Sequence, residues 1–264
     1  MEPNAGLAPE HRERLRAAGA DVDAVDAQTW TRVHDGVPTW WHDCDNALYL
    51  AEGALLPPKV LEQLTLFPVR DVVVAVGSAL RSIASLLVGG DGATVFVDAG
   101  CELTAGELFC GGGSSIVLHG PLVATRCAVV DARNRGSVVA LPEQLWAADV
   151  YVATDDMHRL EDRTTGERLN PYGAHVRLGR HVWLCKDAVV TGHADVGDGA
   201  VVGMRAVVRG QKVPAHSVVA GAPPRVVRDD VAWCYDDRPG GRPRRVGAPP
   251  PLSHREHRPD GAEP

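Results

Sequence analysis

The chain has 264 residues, of which 45% are hydrophobic and only 5% aromatic, and its formal net charge is −7. This length is enough for one large domain with appendages, and the scarcity of aromatic residues favours a core of small aliphatic side chains. The negative net charge argues against non-specific binding to nucleic acid or to an anionic membrane surface.

The six cysteines form no CxxC pair and show no regular spacing. This usage is typical of reduced thiols in a cytoplasmic protein rather than of a disulfide framework. The first residues, MEPNAGLAPEHRERLR, contain no apolar stretch of the kind found in a secretory signal. The longest apolar run, around 72–88, is interrupted by Arg81 and predicts no membrane insertion. We therefore expect a cytoplasmic location.

Residues 1–50 carry no repeat, and residues 1–60 are expected to form a helical capping segment. Pro9 followed by EHRERLRAAGA predicts a short helix with proline in its first turn. Trp30, Trp40 and Trp41 follow, and we interpret this aromatic cluster as packing that covers one open end of the domain beyond it.

Residues 61–233 are expected to form one all-β solenoid domain. Up to residue 153 the six-residue spacing is irregular, which we interpret as wider, earlier coils of the solenoid. The aliphatic and aromatic positions that hint at the frame are Val95, Val97, Leu103, Phe109, Ala140, Trp146 and Val152.

Residues 154–172, TDDMHRLEDRTTGERLNPY, are polar and interrupt the repeat. An insertion of this length in a regular scaffold is a common place for function. It contains His158, which lies among Asp155, Asp156, Glu161 and Asp162. A loop histidine in acidic surroundings can act as a general base, and Asp156 is the nearest candidate to orient its ring.

Residues 178–208 contain the clearest pattern, a period of six: LGRHVW, LCKDAV, VTGHAD, VGDGAV and VGMRAV, followed by VRGQKV. The fifth residue of one block and the first of the next lie two apart, so they share one face of a short strand. The inward positions predicted in this way are Leu178, Val182, Leu184, Ala188, Val190, Ala194, Val196, Ala200, Val202, Ala206 and Val208. Three blocks make one triangular coil, and Gly197, Gly199 and Gly203 fall at or beside the corners.

The solenoid is expected to end at the AGAPP turn of residues 220–224. The remaining residues, 234–264, are rich in proline, arginine and glycine with almost nothing to bury, which predicts a disordered tail.

Trp183 lies between two inward positions, which places it on the outer wall of the solenoid. A large aromatic there fits either a subunit contact or a ligand-binding surface with an indole N–H donor. His175, His181 and His193 fall at corner positions. His175 and His193 are one coil apart and are expected to stack at about the 5 Å strand spacing.

The repeat blocks, closed by VPAHSVVAGAPPRVV, resemble the hexapeptide-repeat acyltransferases, whose fold is a left-handed parallel β-helix. The segment DDMHRLEDRTTGERLNP with the later HVW is similar to bacterial O-acetyltransferases of capsular and sialic-acid-containing polysaccharides. This resemblance is dense over 153–233, weaker over 87–152, and absent from 1–60 and from the tail.

The resemblance implies a role for particular residues. His158 is implied as the base that deprotonates an acceptor hydroxyl, and Trp183 as a donor that lines the active site. Acetyl-CoA is implied as the cosubstrate, in a groove between the subunits of a homotrimer. The residues that match its binding stretch are Gly203, Arg205, Arg209, Lys212 and Arg225. Met204 and Arg205 replace small residues, and Gly210 replaces a usual lysine.

The function expected from this reading is acetyl-CoA-dependent O-acetylation of a carbohydrate or glycosylated small molecule, by direct attack without an acyl-enzyme. Backbone N–H groups or the Trp183 indole are candidate donors to the oxyanion. One alternative is a zinc-dependent, carbonic-anhydrase-like enzyme that uses His175, His181 and His193. A non-catalytic solenoid scaffold and an N-acyltransferase of amino-sugars are the others. No metal site is assigned in the preferred reading.

Overall fold

The computed structural model describes residues 6–155, 158–170 and 172–235. Contacts divide the chain into a unit of residues 1–232 and a unit of residues 233–264. In the second unit, residues 233–235 are described, and the rings of Trp233 and Tyr235 lie 5.0 Å apart. The predicted disorder of the tail lies outside the described residues from 236 onward.

The described residues form four short helices and 22 strands. The helices are α1 (Pro9–Ala18), α2 (Val22–Asp26), α3 (Thr39–Asp43) and α4 (Pro58–Leu64). The strands are β1 (Trp30–Arg32), β2 (Ala47–Ala51), β3 (Val73–Val76), β4 (Ser85–Val88), β5 (Thr94–Val97), β6 (Cys101–Leu103), β7 (Glu107–Cys110), β8 (Ser115–Leu118), β9 (Leu122–Ala124), β10 (Val129–Ala132), β11 (Ser137–Ala140), β12 (Gln144–Trp146), β13 (Tyr151–Ala153), β14 (His175–Leu178), β15 (Trp183–Leu184), β16 (Val189–Thr191), β17 (Ala194–Val196), β18 (Val201–Val202), β19 (Val207–Arg209), β20 (Lys212–Val213), β21 (Val218–Gly221) and β22 (Pro224–Arg228). None of these helices is long and apolar enough to cross a membrane.

The strands form three sheets that are the three faces of a parallel β-solenoid of about seven turns. The first face has the order β1-β2-β3-β5-β8-β11-β14-β17-β20, the second β19-β16-β13-β10-β7-β4, and the third β22-β21-β18-β15-β12-β9-β6. From β5 to β21 the chain visits the first, third and second faces in turn, and β22 stays on the third face. The prediction of an all-β solenoid is therefore confirmed.

The coils shorten along the chain. In the earlier part Ser115 pairs with Ser137, whereas later Val176 pairs with Ala194, which is a shorter step in sequence. The shorter step equals three blocks of the six-residue repeat, so the regular repeat coincides with the narrower coils. Between the two, Ser137 pairs with His175, and this crossing is the longest because it carries the insertion.

The aliphatic column inside the solenoid follows the predicted frame. All eleven inward positions between Leu178 and Val208 are buried, with exposed fractions of 0–2%. In the wider coils Trp146 is fully buried, but Phe109 points outward between Leu108 and Cys110, which are buried. The expectation for Phe109 was wrong because a coil longer than three repeat blocks shifts the inward positions relative to a period of six.

The glycines at the corners serve two purposes. Gly199 has φ +68°, a left-handed backbone conformation that is less favourable in free energy for residues with a Cβ than for glycine. Gly197 and Gly203 are instead sites of close approach: a Cβ at Gly203 would stand 2.9 Å from the carbonyl oxygen of Val219, and one at Gly197 would stand 2.5 Å from the amide nitrogen of Ala215. Both corners therefore require glycine in order to stack on the next coil.

The N-terminal segment covers the outer surface of the first face as well as continuing it. Strand β2 pairs in parallel with β3, so the parallel part of the sheet extends back to residue 47, and β1 pairs antiparallel with β2 at the edge. Leu15 and Trp30 pack on outward residues of that face, and the rings of Trp30 and Phe96 lie 6.2 Å apart. Trp41 belongs instead to the column inside the solenoid.

Candidate active site

The insertion leaves the solenoid at the corner where the second face meets the first, which we name the insertion corner. It begins after β13 and returns to β14. At its root the buried carboxylate of Asp155 accepts a hydrogen bond from Asn134 Nδ2 at 2.5 Å, and it lies 3.6 Å from Arg168 Nη2. Because Asn134 belongs to the coil below, this carboxylate ties both ends of the insertion to the scaffold.

Asn170 fixes the backbone beside the predicted base. Its Nδ2 donates to the His158 carbonyl oxygen at 2.8 Å, and its Oδ1 accepts from the Leu160 backbone N–H at 2.8 Å. The same Nδ2 lies 3.3 Å from Asp155 Oδ1. Asn170 is only 7% exposed, whereas His158 is exposed. The insertion thus presents His158 to solvent from a backbone held by a buried amide.

Two other acidic residues of the insertion, Asp162 and Glu161, have structural partners. Asp162 Oδ1 accepts from the backbone N–H groups of Thr164 and Thr165, both at 2.8 Å, and these bonds lower the pKa of its carboxyl. Glu161 forms an ion pair with Arg159 at 2.5 Å. Asp156, the expected orienting residue, lies outside the described residues.

Trp183 lies on the outer side of the third face, as predicted. It is half-buried, while its neighbours Val182 and Leu184 are fully buried. The ladder pairs it with Leu145 on one side and Val201 on the other. The outward residues along this ladder form an apolar row: Val123, Leu145, Trp183, Val201 and Val218.

The structure places His158 and Trp183 on different parts of the solenoid. The insertion leaves at the corner between the second and first faces, whereas Trp183 begins β15 on the third face.

The residues expected to bind CoA divide in the same way. Arg209 ends β19 and Lys212 begins β20, so both lie at the insertion corner. Gly203 and Arg205 lie at the corner between the third and second faces, and Arg225 lies in β22 at the edge of the third face. Arg205 has a side chain that is 78% exposed, and its Nε lies 3.3 Å from Asp187 Oδ2. A phosphate that approaches Arg205 must therefore compete with a carboxylate.

The three corner histidines do not gather at one point. The rings of His175 and His193 meet edge to face at the insertion corner, with 5.7 Å between their centroids, so the two residues lie on adjacent coils as predicted. His181 lies at another corner, where its Nδ1 is 3.3 Å from Glu143 Oε2. In residues 6–155, 158–170 and 172–235, no group of three or more His, Cys, Asp or Glu side chains is arranged to hold a metal ion. This geometry gives no support to the zinc alternative.

Sequence reasoning missed Asp155 and Asn170 as the residues that organise the insertion. It also missed the arginines of the coil below, Arg133 and Arg135. The polar residues of 154–172 have the composition of an ordinary loop, so the sequence gives no signal for Asp155 or Asn170. Only the fold shows which of these polar side chains are buried.

Comparison with known proteins supports the fold. The polySia-specific acetyltransferase NeuO matches with a TM-score of 0.56 and 18% identity, over 66% of this chain and 77% of that protein. The polysialic acid O-acetyltransferase OatWY matches with a TM-score of 0.52 and 18% identity, over 66% and 78% of the two chains. No protein-family model and no curated protein matches the sequence.

Proposed function

We propose that this protein is an acetyl-CoA-dependent O-acetyltransferase that modifies a carbohydrate or a glycosylated small molecule. The observation that carries the proposal is the long insertion between β13 and β14, which presents His158 from a backbone anchored by buried Asn170 and Asp155. The structural neighbours NeuO and OatWY are acetyltransferases of polysialic acid. Their likeness supports acetyl transfer to a sugar.

The proposed chemistry is a direct transfer. His158 takes the proton of an acceptor hydroxyl while that oxygen attacks the thioester carbonyl carbon. The tetrahedral intermediate then expels the CoA sulfur, which accepts the proton. A positioned base typically contributes ~10²–10⁴-fold. The Trp183 indole N–H is proposed as a donor to the oxyanion.

The active site is proposed to form between subunits of a homotrimer. Two features support this assembly: the separation of His158 from Trp183 within one chain, and the apolar rows on the outer walls. The third face presents the row through Trp183, and the second face presents another formed by Val129, Tyr151, Val189 and Val207. Apolar rows of this length on an outer wall are typical of interfaces.

The same assembly would bring the two groups of cationic residues together. Arg209 and Lys212 of one subunit and Arg225 of the next are proposed to flank the CoA phosphates, with the backbone at Gly203 in contact with the pantetheine chain. Arg205 contributes to CoA binding only if its guanidinium leaves Asp187 and pairs with a phosphate instead. None of the described cysteines forms a disulfide bond, and we propose a cytoplasmic location.

The direct test is CoA release from acetyl-CoA with a panel of oligosaccharides, comparing wild type with His158→Ala. His193→Ala is the matched control, since His193 is an exposed histidine at the same corner with no role in the proposal. We expect acceptor-dependent release that only His158→Ala abolishes. Loss of activity in His193→Ala together with bound zinc would favour the metal-dependent alternative.

The intersubunit site has its own test. Inactive His158→Ala and inactive Trp183→Ala proteins are unfolded together, refolded as a mixture and assayed. Mixed trimers would contain interfaces in which one subunit supplies Trp183 and the other supplies His158, so part of the activity should return. Absence of any recovery in refolded mixed oligomers would place both residues in one chain's site, contrary to the proposal.

A further inference from the structure

A pocket of about 480 Å³ lies at the insertion corner, one to three coils below the insertion. Its walls include Phe109, Arg133, Arg135 and Tyr172, and its floor is backbone at Gly89 and Gly111. Three stacked coils span about 10 Å at the strand spacing, which is the length of two sugar rings. No part of the proposed reaction accounts for this pocket.

The floor is bare backbone because the stacked coils leave no room for side chains. A Cβ at Gly89 would stand 2.4 Å from Phe109 Cζ, and one at Gly90 would stand 2.7 Å from the Cα of Gly112. Two glycine-rich turns, GGDG at 89–92 and GGG at 111–113, therefore lie directly above one another. Their flat surface leaves the space in front of them open to a ligand.

The charges around the pocket leave one cation unbalanced. Arg133 lies 3.8 Å over the ring of Phe109, and its Nε donates to both carboxylate oxygens of Asp131, at 2.6 and 2.9 Å. Arg135 differs, because within the described part of the chain its guanidinium has no hydrogen bond or ion pair and lies 6.0 Å from the ring of Tyr172. None of the described residues that line the pocket is acidic.

The pocket is joined to the insertion. Tyr172 belongs to the returning arm of the insertion and is 58% exposed, and the guanidinium of Arg168 lies 4.1 Å from the centroid of its ring. Asn134, between the two pocket arginines, is the residue that binds Asp155 at the insertion root. A ligand in the pocket therefore lies against the segment that carries His158.

We propose that this pocket binds an anionic group of the acceptor, a carboxylate or a sulfate, through Arg135, with Tyr172 stacked on the adjoining sugar ring. The identification of the ligand as an acceptor rests on the proposed function. The binding of an anionic sugar by the pocket does not depend on it. A guanidinium offers several N–H donors in a plane and suits such anions. The exposed phenol ring offers the flat surface that a sugar ring packs against.

The test measures binding by calorimetry without acetyl-CoA, so that it does not depend on turnover. The probes are a hyaluronan tetrasaccharide, which carries carboxylates, a 6-sulfated chitotetraose, and neutral chitotetraose. The proteins are the wild type, Arg135→Gln, Arg135→Lys, and Arg81→Gln as an exposed-arginine control. Circular dichroism confirms that each variant is folded.

We expect the wild type to bind one of the acidic probes more tightly than chitotetraose. Arg135→Gln should reduce that preference by about tenfold or more, as the loss of a charge-assisted hydrogen bond does. Arg135→Lys should restore part of it, and Arg81→Gln should leave it unchanged. The acidic probe that binds more tightly identifies the anion.

Three results would overturn the proposal: no binding of either acidic probe, equal binding by Arg135→Gln and wild type, or an equal loss in Arg81→Gln. Failure of the proposed function is a separate result. Binding that depends on Arg135, in a protein that releases no CoA with any acceptor, would keep the pocket and remove the transferase.

Discussion

Asn170 offers the sharpest test of how the insertion works. In Asn170→Ala, the His158 carbonyl oxygen and the Leu160 N–H each lose a partner at 2.8 Å. Each such bond contributes about 1 kcal/mol net, so the ordered insertion should lose about 2 kcal/mol relative to open forms. That free energy corresponds to about 30-fold in the population of the ordered insertion.

The effect of Asn170→Ala should be local. Residue 170 lies outside every strand, and the solenoid column does not involve it. Hydrogen exchange of the backbone amides at 158–170 should accelerate by about 30-fold, with the thermal midpoint nearly unchanged. kcat for CoA release should fall by up to the same factor. The Kd for CoA should stay constant, because the hydrogen bonds of Asn170 go to other residues of the insertion and not to the residues assigned to CoA.

A second substitution separates the two halves of the contact. Asn170→Asp keeps the acceptor for Leu160 but places a carboxylate oxygen against the His158 carbonyl and Asp155. We expect it to be more damaging than Asn170→Ala, and Arg163→Ala, at the exposed tip, to be silent. Unchanged hydrogen exchange of the amides at 158–170 in both Asn170 variants would refute the reasoning. It would show that the two hydrogen bonds do not stabilise the ordered insertion.

Three further predictions concern the packing of particular side chains. Trp146→Ala should lower the free energy of unfolding by about 3–5 kcal/mol in urea titrations, whereas Trp183→Ala, on the outer wall, should lower it far less. Burial lowers the pKa of His11, so α1 docking contributes stability that is present above pH ~6.5 and lost as the pH falls through the lowered value, which amide exchange of α1 measures. Burial raises the pKa of Cys110 to about 12, so this thiol should resist a thiol reagent at pH ~8 that labels the unfolded chain at once.

Each of these has a clear contrary outcome. Equal costs for the two tryptophan variants would contradict the assignment of inner and outer wall. Faster α1 exchange at high pH rather than low would reverse the sign expected for His11. Rapid labelling of Cys110 in the folded protein would show that its coil opens.

The repeat frame could be predicted because the packing inside a narrow prism leaves few choices. Every position from Leu178 to Val208 that was expected to point inward does so, and Trp183 points outward between them. The outward orientation of Phe109 could not be predicted in the same way, because its coil is longer than three six-residue blocks. The sequence does not indicate at which corner the additional residues lie.

The organisation of the insertion was less accessible. Asp155 and Asp156 are equivalent in the sequence, and only the coil below, which brings Asn134 to 2.5 Å, distinguishes the first. Arg135 is likewise one of many arginines until the stacked glycine turns place it over an open floor. Contacts between coils depend on a register that is maintained over a whole turn of the solenoid, which a single sequence does not display.

The long crossing from Ser137 to His175 has a consequence for how such a protein can change over time. It is roughly double the length of the step from Val176 to Ala194, and one doubling adds only about 0.6 kcal/mol of closure entropy. The coils above and below still stack in register, because Val138 meets Val176 as if nothing intervened. A corner of this prism is therefore a place where the chain can acquire, lengthen or replace a recognition arm at almost no cost to folding, while the wall beneath it stays the same.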